Sequence, residues 1–265
     1  MTVAIIGAGV MGETLLAGLI RDGRDPGSLT VVEKRAERAA ELRDKYGVSV
    51  AGDLGAVTAE TIALVIKPQD MTAVLTDLAP HLRPGQLLVS LAAGITTAAI
   101  EAQVPAGVAV ARVMPNTPAL VGEGMAAVSP GAHCTEEHLA TAESMLGAMG
   151  RVVRVPEYQQ DAVTAVSGSG PAYVFLVVEA MIEAGVHLGL PRPTATELAV
   201  QTVLGAATML RETGEHPALL REQVTSPGGT TAAALRTLED HGLRAAFLDA
   251  LESARDRSRA LAGGA

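Results

Sequence analysis

Two glycine-rich strings mark where this chain can offer bare backbone N–H groups to an anion. The first, Gly7-Ala8-Gly9-Val10-Met11-Gly12, follows the apolar run Val3–Ile6 and opens a run of helical spacing. A G-x-G-x-x-G string in that position suits a dinucleotide. Gly7 permits the tight turn, Gly9 lets the backbone approach a pyrophosphate, and Gly12 lets helix and strand pack closely. The helix amino end adds N–H groups and the positive end of its dipole. Glu33-Lys34-Arg35 closes the next apolar run, where an adenosine ribose should lie. A carboxylate there accepts from a ribose 2′-hydroxyl, whereas Lys34 and Arg35 can pair with a 2′-phosphate, and residue types alone leave both open. Ile66-Lys67-Pro68 and Ala92-Ala93-Gly94 close two further runs. Small residues there admit a ribose and a nicotinamide, and Lys67 can reach a ribose or phosphate oxygen.

The second string is Ser226-Pro227-Gly228-Gly229-Thr230-Thr231. Proline just inside a helix start, two glycines and two threonines expose several free N–H groups at a positive helix end, a place that fits a carboxylate. A plain cap would need one polar side chain and neither glycine. Ser167-Gly168-Ser169-Gly170-Pro171 reads as a loop entering a helix; its small residues either border a pocket or let two helices cross closely, and both readings stand. The six histidines are scattered without metal-ligand spacing or a cysteine partner, so no metal site is expected. Ser169 lacks the full nucleophile-elbow string and follows no strand, which argues against a serine hydrolase.

Strands are expected at Val3–Ile6, Leu29–Val32, Ala63–Ile66, Leu87–Leu91 and Ala109–Arg112, with helices at Gly12–Arg21 and Ala36–Tyr46 as crossovers. This is an α/β pattern, a Rossmann-like parallel sheet domain over residues 1–155. After Val155-Pro156 the alternation stops. Ala-, Leu- and Val-rich helical segments follow at Asp161–Val166, Pro171–Leu188, Pro193–Thr213, Pro217–Val224, Gly229–Asp240 and Leu243–Ala262. Residues 156–265 are therefore expected to form an all-α domain for dimerisation and substrate binding. Several of its helices are apolar nearly all round, and the natural cover for such helices in a small domain is a second subunit.

The 265 residues are 48% hydrophobic but only 2% aromatic, which calls for a core of Ala, Val, Leu and Ile. With a net charge of −9 and scattered basic residues, no stripe exists to neutralise a nucleic-acid backbone. The lone Cys134 and the lack of an export signal lead to the expectation of a cytoplasmic protein. The longest apolar stretches, such as Ala172–Met181, are too short and interrupted for a membrane span.

Met114-Pro115-Asn116-Thr117-Pro118, Ser167-Gly168-Ser169-Gly170-Pro171-Ala172-Tyr173 and the Ser226–Thr231 string, in this order and spacing behind the first glycine motif, resemble the pyrroline-5-carboxylate reductases. The resemblance covers nearly the whole chain. It implies reduction of the cyclic imine 1-pyrroline-5-carboxylate to proline with NADPH or NADH, the last step of proline biosynthesis. It also implies dimers joined through interlocked helical domains, often assembled into rings. On the substrate side it selects Ser226, Gly229, Thr230 and Thr231, with Glu157 and Thr164 near the ligand. On the cofactor side it selects Ala8, Val10, Met11, Lys34, Ile66, Lys67 and Ala93, with Asn116 nearby, beside Gly7, Gly9, Gly12, Glu33, Arg35 and Gly94. Many relatives carry small hydroxyl residues where this chain has Glu33-Lys34, so both coenzymes stay open. Hydride addition to C=N is helped by protonation at nitrogen, and the Thr231 hydroxyl is the candidate to hydrogen-bond the ring nitrogen as donor or relay. Two other functions share part of this plan. A hydroxyacid dehydrogenase of similar plan usually needs a lysine acid in the helical domain, where this chain has none. A dinucleotide-sensing protein without turnover would have no purpose for the Ser226–Thr231 loop.

Overall fold

Short apolar runs without a polar alternation must be buried on both faces, which places them inside a sheet covered by helices on either side. The computed structural model, which describes residues 2–262, shows this arrangement. Strands β1 (Val3–Ile6), β2 (Leu29–Val32), β3 (Ser49–Ala51), β4 (Thr61–Leu64), β5 (Leu87–Ser90), β6 (Ala109–Met114), β7 (Gly124–Pro130) and β8 (Gly150–Arg154) form one sheet. Their order is β3-β2-β1-β4-β5-β6-β7-β8. All neighbours are parallel except β6 and β7, which pair antiparallel. The connecting helices are α1 (Val10–Arg21), α2 (Ala36–Tyr46), α3 (Met71–Leu78), α4 (Thr97–Glu101) and α5 (Glu136–Gly147). Alternate β1 residues serve the two faces. Val3 and Ile5 join a core with Leu15, Leu16 and Leu19 of α1 and Met145 and Leu146 of α5, whereas Ala4 and Ile6 join one with Met71, Leu75 and Leu78 of α3.

The strands expected from apolar runs are present, with β4 two residues earlier than expected and β6 extended to Met114. Strands β3, β7 and β8 carry no such signal. β7 begins with Gly, ends with Pro and is rich in Ala, all poor strand formers; the sheet specifies it by pairing it on both sides. β3 and β8 lie at the two edges, where half-exposed residues blur the pattern.

The carboxyl-terminal part is helical: α6 (Gln160–Val163), a π-helical turn over Thr164–Gly168, α7 (Gly170–His187), α8 (Arg192–Thr213), α9 (Pro217–Gln223), α10 (Thr230–Asp240) and α11 (Leu243–Ala262). Contacts divide the chain into a unit Gly170–Ser253 and a unit made of the residues before it and those from Ala254 on. By contacts, residues 156–169 thus group with the sheet. The reason lies in side chains that tie the intervening segment to the sheet. Gln160 is buried and its Nε2 donates to Ser129 Oγ of β7 at 2.7 Å. Asp161 in turn accepts from Ser258 Oγ at 2.7 Å, which draws the end of α11 into the same unit.

In the unit Gly170–Ser253, α7 packs along α8 and only the small Ala195 and Ala199 are fully buried between helices. Phe175 and Leu176 on α7 are two-thirds exposed, and Leu198 and Leu204 on α8 more than half. An apolar surface of this extent marks an interaction site. Glu157–His187 is, among the described residues, the one stretch long and apolar enough to cross a membrane by length and composition. It is longer than the Ala172–Met181 run that the sequence singles out, because helix continues on both sides of that run. It carries Glu157, Asp161, Glu179 and Glu183.

A charged cluster ties α1 to α2. Glu13 accepts from Lys45 Nζ and Tyr46 OH, each at 2.9 Å, and pairs with Arg38. These donors, Lys45 first, hold the Glu13 carboxyl down at about 2. A carboxyl whose folded value lies below its unfolded one adds stability above the unfolded value and loses it as pH falls through the folded one. With the side chain partly open to solvent, the contribution is discounted to about 1–2 kcal/mol. Glu13→Gln is therefore expected to lose about 1–2 kcal/mol at neutral pH. Urea denaturation should show the gap to wild type closing as pH falls from about 4.5 toward 2; a gap independent of pH would assign the loss to packing.

Candidate functional site

The carboxyl end of β1 is where the strand order reverses, with β2 on one side and β4 on the other. Sheets of this kind bind ligands in the crevice outside such a point. Gly7 makes the turn there with φ of +98°, and its N–H donates to Val32 O at 3.2 Å. A Cβ on Gly7 would come to 2.3 Å from Val65 O, and one on Gly12 to 2.0 Å from Gly7 O, so both places accept glycine alone. Gly9 differs. A Cβ there would meet nothing within 4 Å, because the residue faces a groove of about 390 Å³. That groove is lined by Gly9, Val10, Met11 and Gly12 from the turn, Ile66, Lys67 and Pro68 after β4, and Ala93 after β5. Gly9 is also the N-cap of α1 and no side chain caps that end, so the first N–H groups of the helix are left for a ligand. The surroundings fit a dinucleotide pyrophosphate: bare backbone, an open Gly9 and a helix amino end converge on one groove. Ala8 is buried behind the turn and contributes through its carbonyl, which accepts from Arg38 Nε at 3.4 Å.

At the end of β2, Glu33 and Arg35 form a closed clasp. Glu33 Oε1 accepts from the Arg35 backbone N–H at 2.9 Å and from its Nε at 3.1 Å, and Oε2 accepts from Nη2 at 3.1 Å. The Glu33 side chain is only 9% exposed, against 69% for Arg35. Hydrogen bonds from Arg35 hold the Glu33 carboxyl below its ordinary range. Lys34 between them is exposed.

A second cavity, of about 380 Å³, shares Pro68 and Ala93 with the groove and is further lined by Gly94, Ile95, Thr164, Ser169, Arg257 and Ser258. The sequence-selected Gly94 and Thr164 thus come together. Thr164 Oγ1 donates to Gln160 O at 2.8 Å, the bond of a hydroxyl to the preceding helical turn. Glu157 is placed otherwise. Its carboxylate accepts from the Thr97 N–H at 2.8 Å and from Thr97 Oγ1 at 2.7 Å, and it pairs at 3.3 Å with Arg112, whose guanidinium is buried beside β6. Asn116 is likewise engaged internally: Nδ2 donates to Ser167 O at 3.1 Å and Oδ1 accepts from Met125 N–H at 2.8 Å. Glu157 and Asn116 therefore brace the segments that carry Ala93, Thr164 and Ser169. Sequence reading passes over Arg38, Arg112 and Arg257. A lone arginine within the apolar strand β6 is a signal, since such a charge needs a buried partner.

The Ser226–Thr231 string lies in the unit Gly170–Ser253. Gly228 has φ of +69°, and Gly229, the N-cap of α10, has extended backbone with no side-chain cap. The Gly229 N–H donates to Ser226 O at 3.1 Å, which closes the turn. The N–H groups of the first helical turn, from Thr230 on, are left without a capping side chain and suit a carboxylate. Among the described residues, no group of three or more His, Cys, Asp or Glu could hold a metal ion.

Residues 157–261 match the family model "Pyrroline-5-carboxylate reductase dimerisation", and residues 2–94 match "NADP oxidoreductase coenzyme F420-dependent". The chain is 47% identical to the pyrroline-5-carboxylate reductase of Corynebacterium melassecola, over 98% of each chain. Among solved structures, it is similar to the pyrroline-5-carboxylate reductase of Coxiella burnetii, with TM-score 0.95, 38% identity and 98% of each chain covered. It is also similar to the Plasmodium falciparum pyrroline carboxylate reductase with NADP bound, with TM-score 0.85, 27% identity and 99% and 98% covered.

Proposed function

The chain belongs to the pyrroline-5-carboxylate reductase family, and on that footing we infer that it reduces 1-pyrroline-5-carboxylate to L-proline with NADPH, the closing step of proline biosynthesis. The observation that carries this reading is the match in one chain of a dinucleotide groove at the reversal point of the sheet and an uncapped, glycine-opened helix start at α10. When bound, the coenzyme supplies the hydride. The rest is work for the chain. Gly9 and the α1 amino end hold the pyrophosphate, Ile66, Lys67 and Ala93 border the ribose and nicotinamide, and the N–H groups after Gly229 hold the imino-acid carboxylate. Ser226, Thr230 and Thr231 add hydroxyls to the substrate loop, and Thr231 hydrogen-bonds the ring nitrogen. Thr164 borders the imino acid, with Glu157 acting through Thr97 and Arg112. Because the substrate nitrogen is readily protonated, orientation is the larger task, and it can supply roughly 7–11 kcal/mol in favourable systems.

The helical region is the dimerisation region of the family, and the enzyme is a homodimer through it. The exposed Phe175, Leu176, Leu198 and Leu204 are the apolar surface that a second subunit would cover, which accounts for the Glu157–His187 helix without a bilayer. Assembly of dimers into a ring and residence in the cytoplasm belong to the same proposal; the single free Cys134 supports the second.

Steady-state oxidation of NADPH and NADH in the presence of five- and six-membered cyclic imino acids tests the reading. Pyrroline-5-carboxylate should drive coenzyme oxidation with stoichiometric proline. Coenzyme binding without turnover on any cyclic imine would leave the dinucleotide-sensing alternative.

A further inference from the structure

The position of Glu33 at the end of β2 is that of an acceptor for a ribose 2′-hydroxyl, but its carboxylate is not available for that role. All three bonds described above come from Arg35, and they use both oxygens. The fork that grips Glu33 employs the Nε–H and one N–H of Nη2. A guanidinium carries five N–H donors, so the two of Nη1 and the second of Nη2 remain free to point outward. Arg38, the next cation along, is already engaged by Glu13, Glu41 and the Ala8 carbonyl. The cations left at this edge are therefore Lys34 and the outer side of Arg35.

We infer that Glu33 is the buttress of a 2′-phosphate site: by clasping Arg35 it fixes the guanidinium beside Lys34, and the pair selects NADPH over NADH. The proposal rests on the dinucleotide reading above and deepens it. Glu33, with its charge neutralised and turned inward, does not repel the phosphate. Its backbone contact from the Arg35 N–H fixes the start of α2, so that Arg35 enters the helix as N-cap in one orientation. A free arginine would have to lose its rotamer freedom on binding; one held by a fork has already lost it.

Calorimetric titration with 2′,5′-ADP and with 5′-AMP tests this on the full chain without an imine or turnover. The wild type should bind 2′,5′-ADP at least about tenfold more tightly than 5′-AMP, as charge-assisted phosphate contacts would give. Arg35→Ala should remove most of that preference and, by releasing the Glu33 carboxylate, strengthen NADH binding relative to wild type. Glu33→Gln should weaken 2′,5′-ADP binding by about three- to fivefold, because a neutral amide grips Arg35 less well. Lys34→Ala should weaken 2′,5′-ADP and leave 5′-AMP unchanged. Tighter 2′,5′-ADP binding in Glu33→Gln, or equal binding of the two ligands by the wild type, would overturn the proposal. Failure of both ligands to bind would instead strike the dinucleotide reading itself, whereas a protein that discriminates between them yet reduces no imine keeps this inference and loses the assigned reaction.

Discussion

Thr231→Ala is expected to lower kcat by about 10²-fold with pyrroline-5-carboxylate while leaving NADPH affinity within about twofold of wild type. Proton transfer by a positioned side chain contributes about 10²–10⁴-fold. The lower end applies here because an alcohol is a weak acid and the imine nitrogen can arrive protonated. What remains for the hydroxyl is to fix the ring nitrogen by one hydrogen bond, accepting from the iminium N–H before hydride transfer and donating to the lone pair that the amine nitrogen gains. Thr231 sits in the first turn of α10, whose N–H groups are uncapped and would still hold the carboxylate in the variant. KM for the imine should therefore rise less than kcat falls. Thr231→Ser, which keeps the hydroxyl, should recover most of the rate. Single-turnover measurements with saturating coenzyme, beside fluorescence titration of NADPH, separate the effects. An unchanged kcat in Thr231→Ala would remove the residue from the chemistry and leave the loop as an anion clamp only.

The parts of this molecule legible in its sequence are those where one local rule decides. The glycine turn is one. A strand, three glycines at fixed spacing and a helix can satisfy backbone sterics in few ways, and β1, Gly7 and α1 lie where the pattern puts them. The uncapped start of α10 is another, since Gly228 and Gly229 bring no side chain to cap it, although Pro227 lies two residues before the N-cap rather than just inside the helix. Less legible were features set by distant partners. β7 lacks strand-forming residues and exists because β6 and β8 pair with it. Residues 156–169 group with the sheet by contacts because Gln160 and Asp161 find partners on β7 and α11, separated from them by many residues. Glu157 shows the same limit: its type and position permit a ligand contact, but Thr97 and Arg112 take its oxygens in the fold. Glu33 is subtler. The charged triplet reads equally as a ribose acceptor or a phosphate site, and only the fork between its first and third members shows the carboxylate turned inward.

Gly12→Ala should sharply weaken coenzyme binding and lower stability, although alanine is the better helix former. In an exposed helix interior that exchange would gain up to about 1 kcal/mol. Here the new methyl would lie 2.0 Å from the Gly7 carbonyl oxygen, a backbone atom that cannot swing aside. Gly7 is itself held in place, since its N–H is bonded to Val32 O at 3.2 Å and its φ of +98° sets the turn. Relief requires α1 to move off β1, opening the core at Leu15, Leu16 and Leu19; overpacking of this kind costs about 1–3 kcal/mol or more, which outweighs the helix gain. Since the same movement withdraws the α1 amino end from the groove, NADPH affinity should fall by more than about 10²-fold, the scale of several lost phosphate contacts. Gly9→Ala supplies the contrast. Its methyl meets no protein atom within 4 Å, so the fold should be nearly as stable as wild type, with at most about 1 kcal/mol lost at the N-cap. Yet that methyl projects into the groove, and coenzyme affinity should still drop at least about tenfold, as filling a close backbone approach requires. Paired thermal denaturation and NADPH titration decide the matter: a Gly9→Ala protein that binds NADPH as wild type does would show that the dinucleotide lies elsewhere, whatever Gly12→Ala does to the fold.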